Sequence, residues 1–256
     1  MEPVFIALGL VVGLLVGMTG VGAGSLVTPA LVLSGVSPAI AIGTDLAYAA
    51  VSKTAGALAH RSQRSVDLRA AGLLALGSVP AAALALVGLA LTGLHARSTV
   101  ITLALAFALM LTALALLAGR TRVLALAGRY EASIALRRDR LTVAAGAALG
   151  ILVTVSSIGA GALGAVMLVA LYPRLSAVRV AGTDIAHAVP LTLVASIGHF
   201  WLGHVDLWLA ATLLVGSIPG IVAGSLLAGR LPEAVVRRTL AFVLLYAGTR
   251  LAFASF

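Results

Sequence analysis

The triplet Gly-Thr-Asp occurs twice, at Gly43-Thr44-Asp45 and Gly182-Thr183-Asp184, each inside an apolar run and 139 residues apart. The same spacing relates His60 to His199 and Val66-Asp67-Leu68 to Val205-Asp206-Leu207. It also relates Gly77-Ser78-Val79-Pro80 to Gly216-Ser217-Ile218-Pro219. Upstream the offset falls to 137, pairing Val21-Gly22-Ala23-Gly24 with Ile158-Gly159-Ala160-Gly161. A duplicated apolar block with a carboxylate inside each copy narrows the folds open to this chain. It is the plan of many secondary transporters.

Composition places the duplication in a membrane. The chain is 61% hydrophobic and 10% charged, against about 45–50% and about 25% in soluble domains. Several runs reach the roughly 20 apolar residues that a spanning helix needs. The +9 net charge does not read as nucleic-acid binding, because the arginines lie between apolar runs instead of on one basic face. Such loops orient membrane proteins. Cysteine is absent, which excludes disulfides and thiolate chemistry. The reading is all-α: one polytopic membrane domain over residues 1–256.

Hydropathy divides the chain into eight blocks, at about 4–36, 38–59, 70–92, 98–118, 141–171, 178–202, 207–228 and 237–254. The first and fifth are too long for one crossing, since thirty-odd helical residues would run roughly 50 Å. Each is interrupted by glycines and hydroxyls, at Thr19–Ser25 and Ser156–Gly161. If both broken blocks fold back as re-entrant hairpins, fourteen of the sixteen arginines fall on the cytoplasmic side and only Arg97 and Arg250 outside. Full crossing by all eight blocks divides the basic residues far less cleanly, so the positive-inside rule favours hairpins. Each repeat is then a glycine-broken hairpin plus three spans, and the odd number inverts one repeat against the other. The expected organisation is a first repeat at 1–118, a cytoplasmic interfacial linker at 119–140 and a second repeat at 141–256.

Helices starting just after Gly24 and Gly161 would aim free N–H groups at the breaks, an anion site without a cationic side chain. Gly22, Gly24, Ser25, Ser157, Gly159 and Gly161 are candidate substrate contacts on that ground, against the alternative that the glycines only permit close packing. Thr44 and Thr183 add hydroxyls. Asp45 and Asp184 are candidate proton carriers, because a carboxylate at membrane depth faces a cavity, a partner or a proton path. An N-terminal capping role stands equally open for them. His187, three residues after Asp184, is a candidate relay partner. Lys53, the lone lysine, has Thr192 as its repeat counterpart and suits an anionic ligand, although a snorkelling lysine is the other reading. No histidine pair at ligand spacing points to a metal, and no nucleophile with an evident base points to an enzyme.

The ordered set (glycine break, Gly-Thr-Asp, His60, Val66-Asp67-Leu68, Gly77-Ser78-Val79-Pro80, and all of it again) resembles the TauE/SafE family of sulfite and sulfonate exporters. The second copy, through Gly216-Ser217-Ile218-Pro219-Gly220 and Arg230-Leu231-Pro232-Glu233, is closer still. The first copy departs at Ala81, where the second has Gly220. The resemblance implies a proton-coupled permease in a bacterial cytoplasmic membrane, exporting a small anion such as sulfite or an organosulfonate. Its motif positions here are Gly22, Gly24, Gly43, Thr44, Asp45, Gly159, Gly161, Gly182, Thr183 and Asp184. The expected partners are that anion and the lipid bilayer, with no cofactor, metal or nucleic acid; a homodimer is left open. An anion channel and a non-transporting subunit of a membrane complex are the competing classes.

Overall fold

The computed structural model describes residues 3–19, 24–62, 64–93, 98–227 and 233–253. They form ten helices: α1 (Pro3–Thr19), α2 (Gly24–Leu33), α3 (Pro38–Ser62), α4 (Leu68–Thr92), α5 (Ser98–Arg129), α6 (Glu131–Ser156), α7 (Ala162–Leu171), α8 (Ala177–Trp201), α9 (Leu207–Leu227) and α10 (Glu233–Phe253). The first and fifth hydropathy blocks are each split, into α1 with α2 and α6 with α7. Five helices, α4, α5, α6, α8 and α9, contain a stretch long and apolar enough to cross a bilayer. Large side chains lie bare on the outside, among them Leu84 at 72%, Leu91 at 82% and Trp201 at 84% exposure. In water such a surface would drive association, and a bilayer covers it.

Glycine contacts give the helix directions. In α1, Gly9 and Gly13 press on the backbones of Leu213 and Ser217, while Gly220 and Gly224 of α9 press on Leu10 and Leu14. The two helices therefore run the same way, backbone against backbone, as small residues allow. The other repeat duplicates this seam: Gly146 and Gly150 of α6 press on Leu74 and Ser78 of α4, and Gly77 presses on Val143. The first helix of each repeat thus packs on the fourth helix of the other.

Directions of the remaining helices follow. Thr44 and Tyr48 of α3 meet Asp206 and Ser217 in that order, so α3 runs with α9. Thr183 and His187 of α8 meet Asp67 and Ser78, so α8 runs with α4. Gly43 lies against His204, beyond the end of α8, and Gly56 lies against Ile185 near its start. Helices α3 and α8 are therefore antiparallel. Because α1 and α3 share a direction, the short α2 between them returns the chain to the side where α1 began. Its 10 residues make about 15 Å of helix, against about 25 Å for the 17 residues of α1. The same logic makes α6–α7 a hairpin entering from the opposite side. These are the inverted re-entrant repeats expected from the arginines, whose loops at 61–69, 120–140 and 174–179 share one face.

The linker 119–140 is shared by two helices. Gly119, at φ 67° and ψ 162°, kinks α5, and the arm beyond it ends at Tyr130, where α6 begins. Val123 and Ala127 bury one side of that arm. Arg120 pins its base by donating from Nη2 to the Leu175 carbonyl at 2.6 Å.

Candidate functional site

The Gly-Thr-Asp triplet lies inside the first turns of α3 and α8, and each of its residues does something different. A Cβ on Gly43 would meet the His204 carbonyl, and one on Gly182 the Ser65 carbonyl. Both glycines therefore admit the α8–α9 or α3–α4 loop of the other repeat. The threonines bind those loops. Thr44 Oγ1 accepts the Asp206 N–H at 3.0 Å, and Thr183 Oγ1 accepts the Asp67 N–H at 2.9 Å. Capping falls to the loop aspartates: Asp67 Oδ1 accepts from the Ala70 N–H at 3.1 Å and Asp206 Oδ1 from the Leu209 N–H at 2.9 Å. Helix α8 is capped by Ser176, which leaves Asp184 free of that duty.

Asp45 and Asp184 point inward and are buried. Asp45 Oδ2 accepts from Thr28 Oγ1 at 2.5 Å and from Ser157 Oγ at 2.9 Å. One carboxylate thus ties α2 of the first hairpin to the break of the second. Ser157 holds a left-handed conformation at φ 58°, with its N–H donating to the Val153 carbonyl at 2.7 Å. A non-glycine residue there stores backbone strain, a cost concentrated at functional sites. Gly159 and Gly161 follow at φ 126° and 133°, conformations that favour glycine.

Lys53 is buried and donates from Nζ to the Ala160 carbonyl at 2.8 Å. It interacts electrostatically with Asp184 and, less strongly, with Asp45. Burial against the second break answers the snorkelling alternative. The Gly161 N–H, at the N-terminus of α7, faces the Asp184 carboxylate. Its Oδ1 has no hydrogen-bond partner among the described residues and presses on Gly164, where a Cβ would collide with it. A carboxylate therefore occupies the helix N-terminus that the sequence marks as an anion site.

His187 places Nε2 2.9 Å from Ser78 Oγ, and its Nδ1 has no partner among the described residues. Its ring is thus held by the other repeat and makes no hydrogen bond to Asp184. The repeat counterpart of His187 is Tyr48, which faces Ser217, the counterpart of Ser78. Ser25 is buried in the first turn of α2, and Gly24 begins that helix. Gly22 lies outside the described residues. His199 is buried, with Nε2 2.9 Å from the Thr154 carbonyl and Nδ1 3.4 Å from His204 Nδ1. The structure therefore gathers Lys53, Asp45, Asp184, Ser157, Gly159 and Gly161 around the second break. It spends Thr44 and Thr183 on inter-repeat clamps. Tyr48, Ser78 and Ser217 were missed as site residues, although the serines stand in a duplicated motif.

Intertwined inverted repeats, with buried charge where two re-entrant elements meet, define a polytopic membrane transporter. The family model described as "Sulfite exporter TauE/SafE" matches residues 5–251, and the chain belongs to that family. A similar curated protein is the "Probable membrane transporter protein YjnA" of Bacillus subtilis (strain 168). It is 37% identical over 254 residues, covering 98% of this chain and 100% of that protein. No solved structure matches the chain.

Proposed function

We propose that this chain is a secondary transporter that exports a small sulfur-containing oxyanion, sulfite or an organosulfonate, coupled to a proton. The observation that carries the reading is the place of the single lysine: Lys53 is bound to the second break and acts on the aspartates of both repeats. A compact oxyanion needs a cation and aligned donors, and Lys53 with the α7 N-terminus supplies both. In the conformation described, the Asp184 carboxylate stands before the Gly161 N–H. A neutral Asp184 releases that donor and leaves Lys53 to the substrate, so anion loading takes up a proton. Asp45 belongs to the moving parts, because its contacts to Thr28 and Ser157 join the two hairpins. Breaking and remaking them opens one side and closes the other, with the arginine-rich face on the cytoplasmic side.

The test is uptake of radiolabelled sulfite into proteoliposomes preloaded with unlabelled sulfite. Saturable counterflow that is lost in Lys53→Ala supports the reading. Conductance that rises without saturation would make the protein a channel, and counterflow undisturbed by Lys53→Ala would remove the lysine from the site.

A further inference from the structure

A second site lies at the arginine-rich face, away from the buried lysine. A cleft of about 620 Å³ is lined there by Asp67, Arg69, Asp139, Tyr172 and three arginines on the first turns of α6, Arg137, Arg138 and Arg140. Both lining carboxylates are already engaged. Asp139 pairs with Arg69 at 2.7 Å, and Asp67 pairs with Arg179 at 3.4 Å. Among the described residues, Arg137, Arg138 and Arg140 have no ion-pair partner, so the cleft keeps surplus positive charge. Arg138 is the most constrained of them. Its guanidinium lies 5.5 Å from the centroid of the Tyr172 ring, and that ring is fixed by Tyr172 Oη 3.0 Å from Thr142 Oγ1. Its Nε is buried without a hydrogen-bond partner among the described residues. A buried donor of this kind wants an acceptor, and a fork of guanidinium donors matches a tetrahedral oxyanion.

The duplication shows that this cleft is not half of the transport site. Arg69 has Trp208 as its counterpart, and the positions equivalent to Arg137, Arg138 and Arg140 would fall at or before the start of α1. The register of α6 against α4 puts the cleft level with the start of α4, at the membrane face where phosphate headgroups lie. We propose that this cleft binds a phosphate group, held by Arg137, Arg138 and Arg140. Occupancy bears directly on the repeat clamp, because Asp67 both lines the cleft and donates its N–H to Thr183.

The experiment compares the full chain with Arg137→Gln/Arg140→Gln, two exposed positions whose loss spares the fold, and with Arg138→Lys, which keeps the charge but lacks Nε. One arm measures retention of dioleoylphosphatidylglycerol against dioleoylphosphatidylcholine by native mass spectrometry. The other titrates inorganic phosphate by thermal shift at constant ionic strength, with chloride as the control. Binding should weaken about tenfold or more when charged donors are removed. Loss in the lipid arm identifies a lipid headgroup, and loss in the inorganic arm alone identifies free phosphate. Equal binding by wild type and both variants in both arms overturns the proposal.

Discussion

Lys53 Nζ and the Ala160 carbonyl are 2.8 Å apart, so the lone lysine on α3 is fastened to the second glycine break. Removing it frees the break and leaves two buried aspartates without their shared cation. Lys53→Ala should therefore abolish sulfite counterflow while the protein still elutes as a folded species. Lys53→Arg keeps the charge but brings a longer planar head into a packed position, and should recover little transport. Counterflow near the wild-type rate in Lys53→Ala would contradict the assignment.

Asp184 carries the proton in the proposed cycle, since its carboxylate and the substrate compete for the Gly161 donor. Asp184→Asn cannot ionise. Its counterflow should lose its dependence on pH, and its binding enthalpy should no longer vary with the ionisation heat of the buffer. Wild-type binding should vary in the sense of proton uptake. A variant that retains the wild-type pH profile would exclude Asp184 as the carrier.

The threonines of the two triplets should matter through stability. Thr183→Val keeps the shape of the side chain but takes the acceptor from the Asp67 N–H, and Thr44→Val does the same to Asp206. Leaving a part-buried donor of this kind unsatisfied costs up to about 1–3 kcal/mol. Both variants should unfold at lower temperature than Thr183→Ser and Thr44→Ser, which keep the hydroxyl. Valine variants as stable as the serine variants would show that the clamps contribute nothing.

Much of this arrangement was legible in the sequence because it rests on local signals that occur twice. Glycine breaks within overlong apolar blocks mark α1–α2 and α6–α7, and the distribution of arginines favours re-entrant hairpins. The roles of the threonines were not legible. Thr44 meets a loop 162 residues away and Thr183 one 116 residues away, and a hydroxyl looks the same in sequence whether it faces a ligand or a backbone N–H. The capping alternative for Asp45 and Asp184 shows the same limit: Asp67 and Asp206 cap α4 and α9, and a Thr-Asp pair alone does not reveal which turn it enters. Thr28 escaped as the partner of Asp45 because the second repeat has no matching hydroxyl contact to Asp184. The signal that could have found Tyr48 was its alignment with His187, two unlike polar residues at one repeat position.

The glycine seams make the last prediction, and it bears on the fold alone. A Cβ on Gly150 would run into the Ser78 carbonyl, whereas a Cβ on Gly72 meets nothing within 4 Å. Both are helical glycines, so alanine improves the intrinsic helix preference at each by about 0.5–1 kcal/mol. Only at Gly150 must two backbones separate, and overpacking of this kind costs about 1–3 kcal/mol. Gly150→Ala and its repeat counterpart Gly13→Ala should lower the thermal midpoint of the detergent-purified protein, while Gly72→Ala should leave it unchanged or raise it. Single cysteines complete the check, since none is native: Arg61→Cys, Arg174→Cys and Ala234→Cys should react with an impermeant maleimide from one side and Leu202→Cys from the other. If Gly150→Ala is as stable as wild type, the α4–α6 seam is looser than described. If Leu202→Cys labels with the other three, the inverted topology is wrong.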